Sequence, residues 1–113
     1  MNTGVLTLSL TLLLTTTPAL HAGLVYGRIE VVETRDGKEI SKPLQAGEVI
    51  EVFYPGESTT PSTEVTLTEA GRYKCYVPKS GRGRIRWKGK NFSGTFESRN
   101  SPRQCDVKLV SGS

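Results

Sequence analysis

Beyond residue 23 the chain alternates apolar and polar positions with a period of two, in runs of five to nine residues separated by Gly, Pro, Asn and Asp. No stripe with helical spacing interrupts the pattern. The first run, 24–32, sets Val25, Gly27, Ile29 and Val31 on one side and Tyr26, Arg28 and Glu30 on the other. Arg35-Asp36-Gly37-Lys38 then supplies the Asp-Gly pair of a tight hairpin turn. The run 48–54 is apolar on both phases except at its glutamates, so its inward side is undetermined, and Pro55-Gly56 ends it. Residues 58–62, with Thr59, Thr60 and Pro61, read as an exposed tip. Alternation resumes at 64–68, with Val65 and Leu67 inward. In 72–77, Tyr73, Cys75 and Val77 share one phase and Arg72, Lys74 and Tyr76 the other. Runs at 82–88, 92–96 and 104–110 complete the set, the last with Cys105, Val107 and Leu109 in phase. Seven short strands at this spacing predict an all-β, seven-stranded sandwich.

The opening of the chain follows another rule. Val5 to Leu14 is apolar except at Thr7, Ser9 and Thr11, and is followed by Pro18 and the small-residue stretch Ala19-Leu20-His21-Ala22-Gly23. This is the layout of a signal peptide cleaved after Ala22, although Met1 to Gly4 carries no Lys or Arg. The expected organisation is a leader over 1–22 and one domain over 23–113, exported and therefore periplasmic or secreted. No later stretch is long and apolar enough for a membrane span. Export also changes how the two cysteines read. An oxidising compartment favours pairing, and Cys75 and Cys105 both fall on inward phases, so a disulfide between them is expected, worth about 3–4 kcal/mol by loop-closure entropy.

Three stretches share a likeness: Gly27-Arg28-Ile29, Lys42-Pro43-Leu44-Gln45-Ala46-Gly47-Glu48-Val49, and Thr68-Glu69-Ala70-Gly71-Arg72-Tyr73. Together they resemble the carboxypeptidase regulatory-like domain, a transthyretin-like (prealbumin-like) Greek-key sandwich of exported bacterial proteins. The last stretch is similar to that family's Thr-Asp-x-Gly-x-Tyr hairpin, with Glu69 where Asp is usual. The resemblance implies that Tyr73 plugs the core, and that the domain is an accessory or adhesive module. Without the family, Gly71 still suits a turn that needs positive φ, and Tyr73 suits a buried ring with its hydroxyl at the edge. The transthyretin-like fold has an enzyme branch that hydrolyses 5-hydroxyisourate, with histidines and a Tyr-Arg-Gly-Ser tail. Here the tail is Leu109-Val110-Ser111-Gly112-Ser113.

The chemistry available is narrow. The single histidine, His21, lies in the leader, so with the cysteines paired the domain has neither imidazole nor thiolate. Ser-His-Asp and Cys-His catalysis and His/Cys zinc sites are thereby excluded. Glu30 with Glu33 and Glu48 with Glu51 are carboxylate pairs without a calcium-loop signature, and read as solvated strand faces. No enzyme activity, cofactor or metal is expected.

Charge is divided unevenly. From Arg28 to Glu69 there are four basic and nine acidic residues, and from Arg72 to Ser113 eleven basic and two acidic. Within the basic half Arg82, Arg84, Arg86 and Lys88 alternate with Gly83, Ile85 and Trp87, which on a strand makes one row of cations spaced ~7 Å apart. Arg72, Lys74 and Lys90 extend the basic set. Such a row suits an extended polyanion: acidic polysaccharide or lipopolysaccharide of the cell envelope, with nucleic acid disfavoured by export. The competing arrangement sets the row beside an acidic strand, such as the one carrying Glu30, whose carboxylates neutralise it. A second functional class is a secreted inhibitor or assembly partner that offers the 58–62 tip, or an edge strand, to another protein.

Overall fold

One twelve-residue strand, β1 (Leu24–Arg35), takes part in two sheets. The computed structural model describes residues 23–111; the export segment expected over 1–22 lies outside the described residues. After β1 come β2 (Lys38–Pro43), β3 (Val49–Phe53), β4 (Thr63–Thr66), β5 (Arg72–Tyr76), β6 (Gly81–Trp87), β7 (Phe92–Ser98), β8 (Arg103–Gln104) and β9 (Val107–Ser111). The first half of β1 pairs antiparallel with β5 and parallel with β8. Its second half pairs antiparallel with β2 and parallel with β9. The larger blade continues in the order β2-β1-β9-β7-β6-β3-β4. No helix among the described residues is long and apolar enough to cross a membrane.

The fold is all-β, as the alternation predicts, and sandwich-like in that both blades contribute to one core. Val25, Tyr73, Cys75 and Val77 come from the small blade; Ile50, Val52, Ile85, Phe96, Val107 and Leu109 come from the large one. Among the described residues there are nine strands where the pattern predicts seven. The run expected over 104–110 is broken at Cys105 and Asp106: Cys105 N–H donates to Tyr26 O at 2.7 Å, and Asp106 Oδ1 accepts from Arg28 N–H at 3.0 Å. The other addition, β2, carries no apolar alternation because it is an edge strand exposed along nearly its whole length. It forms a hairpin with β1 through Asp36 and Gly37, both at positive φ (51° and 77°), as a two-residue primed turn requires.

The phases are otherwise as expected. Val25, Gly27, Ile29 and Val31 are buried while Tyr26 and Arg28 are exposed. On β3, where the sequence leaves the side open, Ile50 and Val52 face the core. Gly71 takes φ 73° in the turn before β5, and the Tyr73 hydroxyl donates to Cys105 O at 2.5 Å.

At Gly27 the chain leaves no room for a side chain. A Cβ there would lie 2.6 Å from the Cys105 carbonyl oxygen and 2.8 Å from Asp106 Oδ1. The first obstruction is backbone and cannot rotate away. Gly27→Ala is therefore expected to destabilise the fold by about 3 kcal/mol, the upper end of ordinary overpacking, read as a lower urea midpoint with unchanged slope. An unchanged midpoint would mean that β1 and the segment after β8 do not meet this closely.

Candidate functional site

The basic row on β6 faces outward, as its period predicts, yet most of it is already engaged. Arg86 Nε donates to Glu51 Oε1 at 2.8 Å, and Lys88 Nζ lies 3.1 Å from Glu64 Oε2. Arg84 donates to Ser58 O at 3.2 Å, and its guanidinium stands 4.2 Å from the Phe53 ring centroid, with Arg86 at 5.3 Å. Arg82 is exposed and makes no ion pair among the described residues. It lies opposite Glu97, whose carboxylate takes Arg99 at 3.3 Å. The glutamates that neutralise the row belong to β3 and β4, not to the strand carrying Glu30.

Those glutamates need the cations in turn. Glu51 and Glu64 are direct cross-strand partners, a like-charge pairing that costs energy unless compensated. Phe53 adds a second reason for the arrangement. It is fully buried yet stands apart from the core cluster, because its strand phase turns it to the outer face. The stems of Arg84 and Arg86 roof it, combining apolar cover with cation–π attraction.

The basic residues that extend the set do not join this row. Lys90 Nζ sits 5.7 Å from the Trp87 ring centroid. Arg72 and Lys74 lie on β5, in the other blade. There the register places Arg28 opposite Arg72, Tyr26 opposite Lys74 and Leu24 opposite Tyr76. All these side chains take the outward phase, and Tyr26 and Tyr76 remain 39% and 55% exposed. Arg28, Arg72 and Lys74 form no side-chain ion pair among the described residues. Two carboxylates lie nearby: Glu69, bridged to Arg72 through the main chain and lining the adjoining cleft, and Asp106, held below the ordinary carboxylate range chiefly by the Arg28 N–H, with smaller help from Gln104 and the Arg28 and Arg72 guanidiniums. Beside this face runs a cleft of about 400 Å³ with Leu24, Val65, Leu67 and Tyr73 in its walls and Tyr26, Arg72 and Lys74 along it. Sequence periodicity already sets Tyr26 and Tyr76 outward, but it does not say that β1 and β5 are neighbours.

The expected disulfide is absent: Cys75 and Cys105 are free thiols. β1 lies between them. Cys75 pairs with Val25 on one edge of β1, and Cys105 bonds to Tyr26 on the other. Two strand spacings of ~4.8 Å each put them farther apart than the ~7 Å Cα separation a disulfide spans. Burial pushes the Cys75 thiol up to about 11 from 9.0, and burial likewise raises the Tyr73 hydroxyl. The carboxylate pairs are split as well. Glu48 accepts from Trp87 Nε1 at 2.8 Å while Glu51 is held by Arg86, and Glu30 stands opposite Lys108. Among the described residues no three His, Cys, Asp or Glu side chains gather as a metal site would require.

Compared with protein-family models, curated proteins and solved structures, the chain matches none.

Two outcomes follow from this geometry. Arg84→Ala is expected to cost about 1 kcal/mol through the uncovering of Phe53, against no measurable change for Arg82→Ala, in parallel denaturation curves. For the thiols, alkylation in denaturant without reductant should add two adducts. In the native protein Cys75 should react slowly until the pH nears 11. Because the unfolded thiol ionises first, folding stability is complete below pH 9 and falls as pH rises from 9 toward 11. A rising curve over that interval would contradict the burial of Cys75.

Proposed function

We propose that this is an exported, non-enzymatic binding module of the periplasm or cell surface that holds an acidic polymer of the envelope, and that it does so through the outer face of β1 and β5. The observation that carries the proposal is the company kept by Tyr26 and Tyr76. Two exposed aromatic rings share a flat strand face with Arg28, Arg72 and Lys74, where side-chain partners for those cations are few. Rings of this kind give an extended ligand a stacking surface, and the cations add weak contacts along it. The β6 row lacks both properties, since its cations are committed to Glu51, Glu64, Phe53 and Ser58. Within this reading the domain is a transthyretin-like Greek-key sandwich of the carboxypeptidase regulatory-like type. Support for that assignment is the set of three motifs, with Gly71 at positive φ and the Tyr73 ring buried; against it, the strands on either side of the third motif pair with β3 and β1 and not with each other, so the motif turns a corner between blades and does not close a hairpin.

The 58–62 tip is a weaker surface for a partner because it is tied to the sheet. Ser62 N–H donates to Val52 O at 2.8 Å, Ser62 Oγ accepts from Tyr54 N–H at 3.0 Å, and Ser58 O is held by Arg84.

Heparin chromatography separates the two basic surfaces. Arg72→Glu with Lys74→Glu is expected to abolish retention in 0.15 M salt, whereas Arg82→Glu alone should shift elution only slightly. Equal elution of both variants and the parent would end the proposal; loss confined to Arg82→Glu would return the site to β6.

A further inference from the structure

β4 and β5 border the same cleft at the corner where the blades meet, and they do not pair with each other. The hydrogen-bond phase of each is fixed by bonds at its ends. Val77 N–H donates to Gly23 O at 2.8 Å, and Ile29 N–H to Gly71 O at 2.9 Å. Alternate residues of an antiparallel pair bond to the partner, so Tyr73 and Cys75 turn their peptide groups toward β1. Lys74 and Tyr76 turn theirs away. On β4, Leu67 N–H donates to Glu48 O at 2.9 Å, which directs Val65 toward β3 and leaves the peptide groups of Glu64 and Thr66 facing outward from the sheet. Two unpaired strand edges therefore flank an apolar-walled slot.

Open edges are usually blunted. β2 shows how: Lys38, Lys42 and Pro43 sit on it, and its side chains are almost all exposed. β5 carries Arg72 and Lys74, which repel a cationic strand, but no proline, and the cleft beside it offers Val65 and Leu67 as a wall. We propose that the cleft receives an extended acidic peptide segment of another protein, added as a strand to the free edge of β5.

Charge selects the occupant. An incoming strand would set alternate side chains toward Val65 and Leu67 and the others beside Arg72 and Lys74, with Glu69 as the opposing charge in the lining. The fitting sequence alternates small apolar residues with Asp or Glu, since opposite charges across a pair stabilise and like charges repel. A second copy fits badly: antiparallel pairing of two β5 strands centred on Lys74 sets Lys74 against Lys74 and Arg72 against Tyr76. The mode differs from polymer binding because main-chain hydrogen bonds carry the affinity and side chains supply the selection.

The probe is a blocked heptapeptide of alternating glutamate and valine, titrated into the protein and followed by amide NMR. Expected is an at least tenfold slowing of hydrogen exchange at Lys74 and Tyr76. Binding should weaken at least tenfold when the glutamates are replaced by lysine, when the glutamate amides are N-methylated, or when the protein carries Lys74→Glu. N-methylated peptide binding as tightly as its parent would overturn the added strand and leave the polymer reading standing. Unchanged exchange at Lys74 and Tyr76 would overturn it too, as would a dimer that protects those amides without peptide. Failure of the heparin experiment, by contrast, removes the polymer reading and leaves these measurements untouched.

Discussion

The architecture depends on β1 having strand partners on both edges in each of its halves, over Val25–Tyr26 and Glu30–Val32. Four strands share it: β5 and β8 on the first half, β2 and β9 on the second. Through Val25–Tyr26 and Glu30–Val32 a strand flanks each edge, while Glu33–Arg35 pair with β2 alone; Ile29, at the crossover between blades, is completely buried. The same arrangement brings sequence-distant segments together, since Ile29 pairs with Val107. Such long-range parallel pairing closes a large loop before any bond rewards it. It also explains the cysteines. Cys75 lies in the core and Cys105 packs against its margin, and the strand that organises the core stands between them.

The large blade is held in register by a different means. An exposed ion pair such as Lys88 with Glu64 contributes under ~1 kcal/mol, and Arg86 with Glu51, whose carboxylate side chain is only 12% exposed, offsets part of its own desolvation. Their value is positional. A slip of one residue between β3 and β6 would carry Arg84 and Arg86 toward the core and bring Ile85 out. Phe53 reinforces the constraint from outside, because its ring is covered only when Arg84 and Arg86 lie over it. The opposite charges of the two sequence halves thus meet across β3, β4 and β6, where the acidic half supplies the glutamates and the basic half the row.

Much of this was legible in the sequence, and the gaps have physical causes. Period-two alternation finds strands with one buried face, so the cores of β1, β4, β5, β6 and β7 were readable, as was the Asp36-Gly37 turn. It misses β2, which has no buried face and exists because β1 needs a partner. It runs β8 and β9 together because Cys105 keeps the apolar alternation through a break made by main-chain bonds to Tyr26 and by the Asp106 carboxylate. Periodicity gives the side each residue faces but not which strand lies next to it. Hence the disulfide seemed natural from the phases of Cys75 and Cys105, and whether the β6 row was free or neutralised stayed open, with the strand carrying Glu30 as the candidate neighbour. The tyrosine-bearing face depends on β1 and β5 being neighbours, and a pattern within one strand carries no such information.

That neighbourhood also accounts for where unpaired positive charge collects. With fifteen basic and eleven acidic residues, the chain has cations left over after pairing. β6 lies beside β3, which offers Glu51, and near β4, which offers Glu64. β5 lies beside β1, whose outward residue opposite Arg72 is Arg28, another cation. Two guanidiniums facing across a strand pair repel, and Asp106, which spends an oxygen on the Arg28 N–H, offsets that repulsion only in part. An anion at β6 must compete with Glu51 and Glu64 for the cations, whereas at β5 the neighbouring carboxylates, Asp106 and Glu69, form no ion pair with Arg28, Arg72 or Lys74 among the described residues.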